Sequence, residues 1–330
     1  MVNFIQPKVD PLPTGIDLTG QTIVVTGASS GMGLEVTRQL VLLRASTVIL
    51  AVRNVAKGES CATMIRQDPL IKAQNPEAAI KVMELDMELF VSVLSFAKRL
   101  REEIPIVNTL ILNAGIGLLE LKHTPIGHDK TTQVNYHSNV LLIAELLPYL
   151  EAGAEKTGTP ARISWVGSRA HETTSFEKNY PLKSGEGVID HMDKKEAFVP
   201  FRRYGDSKFL CALFMYSLAP RLDSKKVILN MMCPGMVNTN MSDVLPLYLR
   251  LIVNVIKSIR ARSVEVGGWI ILNGALVMGP ESHGKFLMDK TIADKAAFID
   301  SRKGQNIQKN LWEETVAEMS RLTTLPVEFR

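Results

Sequence analysis

The sequence of 330 residues predicts a doubly wound α/β fold, in which helices cover both faces of one mostly parallel seven-stranded sheet in a single domain. Short apolar runs alternate along the chain with segments of helical periodicity, which is typical of strands joined by crossover helices. The runs are apolar without alternation, and strands of that kind are buried on both faces. Hydrophobic residues make up 46% and charged residues 22% of the chain, as in an ordinary folded protein.

Seven segments carry the strand pattern, and turn-forming residues bound several of them. The predicted strands are Thr22 to Thr26, Thr47 to Val52, Ile80 to Leu85, Val107 to Leu112, Arg162 to Val166, Val227 to Met231 and Lys285 to Leu287. A parallel sheet with helices on both faces is the Rossmann arrangement, which binds ligands at the carboxyl ends of its strands.

An N-terminal arm, residues 1–17, contains several prolines and precedes the first strand. We interpret residues 18–330 as one domain, because no Gly/Pro/Ser-rich boundary interrupts them. Residues 169–203 form a long connection rich in aromatic and charged side chains, which is typical of a lid. We expect a second lid at residues 240–262, where 245–259 has an amphipathic pattern. Peripheral membrane contact is the alternative for that helix.

Charge and cysteine content exclude several classes of protein. The net charge is +4 with the signs interspersed, so nucleic acid is not expected as a partner. Three scattered cysteines predict neither a disulfide framework nor a metal site and favour a reducing, cytoplasmic location. The N-terminus lacks a signal-peptide pattern, and no apolar stretch is long enough to span a membrane.

A glycine-rich turn follows the first predicted strand. Glycines at 27, 31 and 33 allow a tight exit from the strand and a close backbone approach to a pyrophosphate, which the N-terminus of the next helix would face. The alternative is a plain structural turn. The predicted phosphate-binding residues are Gly27, Ser29, Ser30, Gly31, Met32 and Gly33.

The spacing T-G-x-x-x-G-x-G resembles that of the short-chain dehydrogenase/reductase superfamily. At the end of the second strand, Arg53 stands next to the place where an NAD-binding protein carries an acid, and guanidinium geometry suits a 2′-phosphate. We therefore expect NADP(H) as the cofactor, with a solvated surface arginine as the alternative. The resemblance also implies that Asp86 contacts the adenine ring, with an ordinary acid at the end of a strand as the alternative.

Tyr204 and Lys208 lie four residues apart, so a helix would place them on one face. A neighbouring ammonium favours the phenolate, and the pair is expected to act as an acid-base unit with a lowered tyrosine pKa. Alone, this spacing is common on helix surfaces.

Other segments follow the order of the superfamily's motifs. The resemblance implies that Ser168 binds the reacting carbonyl oxygen and that Asn135, in a locally disturbed helix, holds a water of the proton relay. With Tyr204 and Lys208 they form the predicted catalytic set. The remaining predicted cofactor contacts are Asn113, Ala114, Gly115, Pro234, Gly235, Val237 and Thr239.

The resemblance implies an NADPH-dependent oxidoreductase that reduces a ketone or aldehyde, or reversibly oxidises an alcohol. Within the superfamily, the sequence most resembles the retinol-dehydrogenase-like branch and its fungal secondary-metabolism relatives. The segments Val48 to Asn54, Gly284 to Leu287 and Leu311 to Glu314 carry this narrower resemblance. The two lids predict a bulky hydrophobic or aromatic substrate, and family members are often homo-oligomers. The alternatives are a dinucleotide-binding scaffold for cyclisation or isomerisation, and a redox-sensing or interaction protein. The six histidines lack paired ligand spacing, so we expect them at the surface and expect no metal.

Overall fold

The computed structural model describes residues 6–239, 250 and 260–330. Eight strands form one sheet in the order β3-β2-β1-β4-β5-β6-β7-β8. The strands are β1 (Thr22–Thr26), β2 (Thr47–Val52), β3 (Ala79–Glu84), β4 (Thr109–Leu112), β5 (Ala161–Val166), β6 (Val227–Cys233), β7 (Phe286–Met288) and β8 (Thr291–Ile292). All neighbouring strands pair in parallel except β7 and β8.

The predicted doubly wound fold is confirmed, and each of the seven predicted strands is present with its ends within two residues of the expected ones. The count rises to eight because β8 adds an antiparallel edge. This strand has two exposed residues, too few to produce a periodic pattern in the sequence.

Helices cover both faces of the sheet. They are α1 (Gly31–Leu42), α2 (Val55–Gln67), α3 (Pro69–Gln74), α4 (Phe90–Glu103), α5 (Lys130–Thr132), α6 (Ser138–Thr157), α7 (Val188–Asp193), α8 (Arg203–Leu218), α9 (Val264–Leu272), α10 (Ala297–Asp300) and α11 (Arg302–Met319). One apolar core joins the sheet to α4, α6 and α8, and a second joins the opposite face to α1, α2 and α9.

Local sequence signals fix several helix ends. The side chain of Asn54 caps α2 by accepting a hydrogen bond from the Lys57 backbone, and Ser263 caps α9 in the same way. Helix α6 ends at Gly158, whose φ of +70° is in the left-handed region. These caps fix where α2 and α9 begin and where α6 ends.

No helix in the described part of the chain is long and apolar enough to cross a membrane. The amphipathic segment predicted at 245–259, and most of the lid predicted at 240–262, lie outside the described residues. All three cysteines are free and buried.

Candidate active site

A cleft of about 560 Å³ opens at the carboxyl ends of β1 and β4, where the strand order reverses. This is the position at which doubly wound sheets bind their ligands. Of the predicted cofactor contacts, those that line it are Gly27, Ser29, Ser30, Gly31, Met32, Gly33, Arg53, Asp86, Asn113, Ala114, Gly115 and Thr239. Pro234, Gly235, Val237, Tyr204 and Lys208 are not among its lining residues.

The glycine turn forms one wall of this cleft. Gly27 and Gly31 have φ values of +67° and +53°, which side chains rarely adopt. At Gly33 a Cβ atom would lie 2.5 Å from both the Gly27 carbonyl oxygen and the Asn113 amide. The turn therefore requires glycine for conformation at two positions and for close approach at the third.

Asn113 locks the end of β4 to the end of β1. Its Nδ2 donates to the Thr26 carbonyl at 2.8 Å, while the buried Thr26 hydroxyl accepts from the backbone amides of Asn113 and Ala114 at 3.0 and 2.9 Å. These contacts hold together the two strands between which the cleft opens.

Arg53 stands at the far wall of the cleft with its side chain 67% exposed. Its guanidinium pairs with Glu88 at 2.6 Å, and the second oxygen of Glu88 pairs with Lys130 at 2.6 Å. Lys57, in the first turn of α2, lines the same wall. Asp86 also lines the cleft, and its carboxylate accepts a hydrogen bond from the Glu88 backbone amide at 2.9 Å.

Tyr204, Ser168 and Lys208 meet at the start of α8. The Ser168 side chain hydrogen-bonds the Tyr204 phenol. The Lys208 Nζ lies 5.7 Å from the centroid of the Tyr204 ring and donates to the Val166 carbonyl at 2.8 Å. At Gly115, a Cβ atom would lie 3.4 Å from this Nζ and 3.2 Å from the Asn135 amide oxygen, so the cleft wall reaches the catalytic group.

Burial sets the titration of this group. It raises the pKa of Tyr204, the Cys233 thiol adds to the rise, and the hydrogen bond with Ser168 opposes it. Burial also lowers the pKa of Lys208. The prediction of a lowered tyrosine pKa is therefore wrong: burial of the phenol raises the pKa, and the group that acts to lower it is Ser168 rather than Lys208.

The predicted disturbance of the Asn135 helix is present as a π-helical turn, Gln133–His137, between α5 and α6. Asn135 is fully buried, and its amide exchanges two hydrogen bonds of 2.8 Å with the backbone of Ile116. Its Nδ2 also donates to the Ser207 hydroxyl at 2.9 Å, which in turn donates to the Tyr204 carbonyl at 2.7 Å. Asn135 therefore connects the end of β4 to the catalytic helix.

The loop after β6 lies above this group. Thr239 approaches the glycine turn, since a Cβ at Gly31 would meet its methyl group at 3.5 Å. Val237, by contrast, is buried against Gly267 of α9, where a Cβ would lie 3.0 Å away from it. The predicted contact at Thr239 thus faces the cleft, whereas the Val237 side chain packs towards the core.

Comparison with known proteins agrees with the resemblance predicted from the sequence. A family model described as short chain dehydrogenase matches residues 21–177. The chain is 75% identical to short chain dehydrogenase macD of Penicillium terrestre, and the match covers the full length of both chains. It is 67% identical to short-chain dehydrogenase/reductase tropG of Talaromyces stipitatus, over 99% of both chains. The chain belongs to the short-chain dehydrogenase/reductase family.

Solved structures agree with this family's fold. A protein of unknown function from Mycobacterium paratuberculosis superposes with a TM-score of 0.65 at 21% identity, covering 96% of this chain and 98% of its own. The Pseudomonas aeruginosa RhlG/NADP complex gives 0.59 at 22% identity, covering 83% and 96%. At these identities the likeness concerns the fold of this short-chain dehydrogenase and not its chemistry.

Two residues that support the catalytic group were not predicted. His171 is buried, and its Nδ1 lies 2.7 Å from the Ser168 carbonyl oxygen while its ring packs on Phe286 at 4.6 Å. Ser207 links Asn135 to Tyr204 as described above. The signal for each was position alone: His171 lies three residues after the catalytic serine, and Ser207 directly precedes Lys208.

The prediction that the histidines lie at the surface is wrong for His137, His171 and His191, which are buried. His128 bridges two carboxylates, with Nδ1 at 2.9 Å from Asp193 and Nε2 at 2.6 Å from Glu318. Burial disfavours its charged form, but the hydrogen bonds to these carboxylates outweigh burial and raise the pKa of His128 to about 10.

His128, His137 and Glu318 place one potential ligand atom each within 4.8 Å of one another. The two imidazole rings, however, stack at 4.4 Å with 19° between their planes. Because a ring nitrogen's lone pair lies in the ring plane, two nearly parallel rings do not direct theirs to one ion. The cluster is a partly buried charge network that connects the segment before α6 to Glu318 of α11.

The segment 169–203 is anchored at two places. Asp206 of α8 accepts hydrogen bonds from Thr174 and Ser175, and Glu314 of α11 accepts from the first two amides of α7 at 2.8 Å. Phe176 is buried against Phe209, so this aromatic residue belongs to the core rather than to a pocket wall. The opening or closing of the segment 169–203 as a lid remains a prediction.

Proposed function

We propose that the protein reduces a ketone or aldehyde by hydride transfer from NADPH, reversibly oxidising the alcohol. The observation that carries the proposal is the convergence of Tyr204, Ser168 and Lys208 beside a glycine-lined cleft. A tyrosine and a serine whose side chains interact can supply a proton donor and an oxyanion-stabilising donor together. The same group belongs to no metal site among the described residues.

The residues of the cleft fit a dinucleotide. The absence of a Cβ at Gly27, Gly31 and Gly33 leaves the backbone open to a pyrophosphate at the N-terminus of α1, where unpaired amides and the helix dipole favour negative charge. The cleft volume of about 560 Å³ is that of a ligand site. When bound, the cofactor supplies the hydride, and the protein supplies position and electrostatics.

We infer a preference for NADP(H) from the wall that carries Arg53. Strand β2 ends in Ala51 and Val52, so the acid that would bind a ribose 2′-hydroxyl is missing there. Arg53 and Lys57 give this wall two cations suited to a phosphate, of which Arg53 shares its charge with Glu88.

A phenol with the ordinary tyrosine pKa near 10 is already protonated at neutral pH, as a proton donor must be, and the raised pKa of Tyr204 keeps it so. The phenol would deliver its proton to the substrate oxygen as that oxygen gains charge, while Ser168 orients the carbonyl. A donor of this kind contributes about 2.7–4 kcal/mol in other enzymes. The Asn135–Ser207 contacts would hold the backbone of Tyr204, and a water at Asn135 would return the proton to the phenol through Lys208.

For the substrate we propose a bulky hydrophobic or aromatic carbonyl compound, in keeping with fungal secondary metabolism. Apolar side chains surround the carboxyl end of the sheet: Ile116 and Leu118 line the cleft, and Met236 and Phe201 are 42% and 65% exposed. The full-length likeness to fungal short-chain dehydrogenases supports the biosynthetic setting.

The test is the stoichiometric loss of NADPH absorbance with a panel of aromatic and polycyclic ketones beside small hydrophilic aldehydes. We expect Tyr204→Phe to remove nearly all activity. Tyr149 lies on α6, and its hydroxyl donates to the carbonyl of Ile104 at the end of α4; Tyr149→Phe removes that hydroxyl and should retain activity. Conversion of a substrate without consumption of NADPH would instead support the cyclase or isomerase scaffold, and turnover of small aldehydes alone would refute the substrate class.

A further inference from the structure

The N-terminal arm, which the sequence predicts to be an appendage, lies against the loop that follows β6. Val9 and Leu18 are buried, and Leu12 and Ile16 pack on the second core. The described part of the arm is thus fixed to the domain. Its first described residue, Gln6, reaches the backbone of the loop 230 positions later in the chain.

The side-chain carboxamide of Gln6 hydrogen-bonds both the backbone carbonyl and the backbone amide of Met236. Its Nε2 donates to the Met236 carbonyl at 2.9 Å, and its Oε1 accepts from the Met236 amide at 2.8 Å. The same Nε2 donates to the Arg260 carbonyl at 2.7 Å. One carboxamide therefore satisfies three backbone groups and ties Met236 to Arg260.

The loop is shaped to receive this side chain. Gly235 has a φ of +78°, and a Cβ there would lie 2.1 Å from the Gln6 Oε1. A side chain at 235 would therefore displace the glutamine as well as strain the backbone. Glycine at this position suits both the turn and the contact with the arm.

Arg262 makes a second connection between arm and loop. This arginine is 8% exposed; its guanidinium donates to the Pro234 carbonyl at 3.1 Å and to the Pro7 carbonyl at 2.8 Å. It also pairs with Asp289 at 2.6 Å, in the turn between β7 and β8. A buried charge with three oxygen partners holds its neighbours in a defined geometry.

The loop held in this way borders both halves of the candidate site. It starts at Cys233, whose thiol accepts hydrogen bonds from the amides of Arg169 and Gly235 at 3.3 and 3.4 Å, and Arg169 directly follows Ser168. It reaches Thr239 beside Gly31. A shift of the loop would change the distance between the catalytic group and the cleft.

We propose that Gln6 is a positioning residue for the reaction: through Met236 and Gly235 it fixes the loop 234–239 over the site and aligns bound cofactor with Tyr204. This inference rests on the proposed function. Displacements of about 1 Å at a reacting centre cost up to about a hundredfold in rate, so loss of these contacts should act on turnover.

The test compares Gln6→Met, which keeps the length but removes the polar atoms, with Lys8→Met on the same arm, where the side chain is exposed. We expect Gln6→Met to lower kcat about tenfold, with the carbonyl KM within threefold of wild type and a loss equal with NADPH and NADH. Lys8→Met should match wild type. Equal kcat for Gln6→Met and wild type would overturn the proposal, as would a loss explained by the folded fraction alone.

A second measurement does not depend on activity. Hydrogen exchange of the peptide that contains the Met236 amide should become at least tenfold faster in Gln6→Met and stay unchanged in Lys8→Met. Unchanged exchange would overturn the arm's role even if the enzyme reduces ketones. If wild type binds NADPH but reduces no carbonyl compound, the proposed function fails, and faster exchange together with weaker NADPH binding still supports the positioning of the loop.

Discussion

Replacing Arg53 by alanine tests the inferred choice between NADPH and NADH. The guanidinium is 67% exposed and already engaged with Glu88 at 2.6 Å, so a phosphate would gain less from it than from a free, buried arginine. A hydrogen bond to a charged group contributes about 1.5–3 kcal/mol. Taking the low end for this exposed, shared group gives about 1.5 kcal/mol, which is slightly more than tenfold in the dissociation constant.

We therefore expect Arg53→Ala to raise the NADPH Kd about tenfold and the NADH Kd by less than twofold, measured by nucleotide fluorescence at fixed salt. Glu88→Gln should have the opposite sign and tighten NADPH binding a few-fold, because it removes the carboxylate that competes for Arg53 and Lys130. Arg99→Ala is the matched control, since Arg99 is an exposed arginine paired with Glu103 on α4. Equal weakening of both nucleotides by Arg53→Ala would refute the assignment.

Three further outcomes are expected. Ser168→Ala should lower kcat about 100- to 1000-fold with nucleotide affinity kept, and kcat within threefold of wild type would contradict its role as a donor to the carbonyl. Gly33→Ala places a Cβ 2.5 Å from the Asn113 amide and the Gly27 carbonyl, so nucleotide binding measured by calorimetry should be lost or fall at least tenfold; retained affinity would refute the close-packed turn. His128 has a pKa raised from 6.5 to about 10, so its stabilisation is complete below pH 6.5 and is lost as the pH rises through about 10. Urea unfolding from pH 6 to 10 should therefore show a steeper loss of stability in wild type than in His128→Gln, and equal slopes would count against a charged His128 beside Glu318.

Patterns local in the chain predicted the parts of the site that lie next to strand ends. The glycines after β1, Asn113 after β4 and Ser168 after β5 all follow predicted strands, and a parallel sheet brings such ends to one edge. The helical disturbance at Asn135, which the family resemblance implied, is present as the π-helical turn Gln133–His137.

Burial could not be predicted from these patterns. His137 and His191 carry no apolar signal, yet they are 0% and 4% exposed: His137 lies against Glu318 of α11, and His191 packs on Phe176. The same holds for the pKa of Tyr204: the spacing to Lys208 predicts a decrease, but desolvation produces an increase. Desolvation depends on all the groups that surround a side chain, and most of these are distant in sequence.

The sequence by itself determined the sheet, the glycine turn and the order of the catalytic residues, because each depends on interactions between near neighbours or on the period of a single segment. Only the tertiary structure decided which side chains meet across long separations: Gln6 with Met236, Arg262 with Asp289, and His128 with Glu318. Such contacts depend on how the crossovers place distant segments. The type of a residue does not by itself predict which distant residue its side chain will contact.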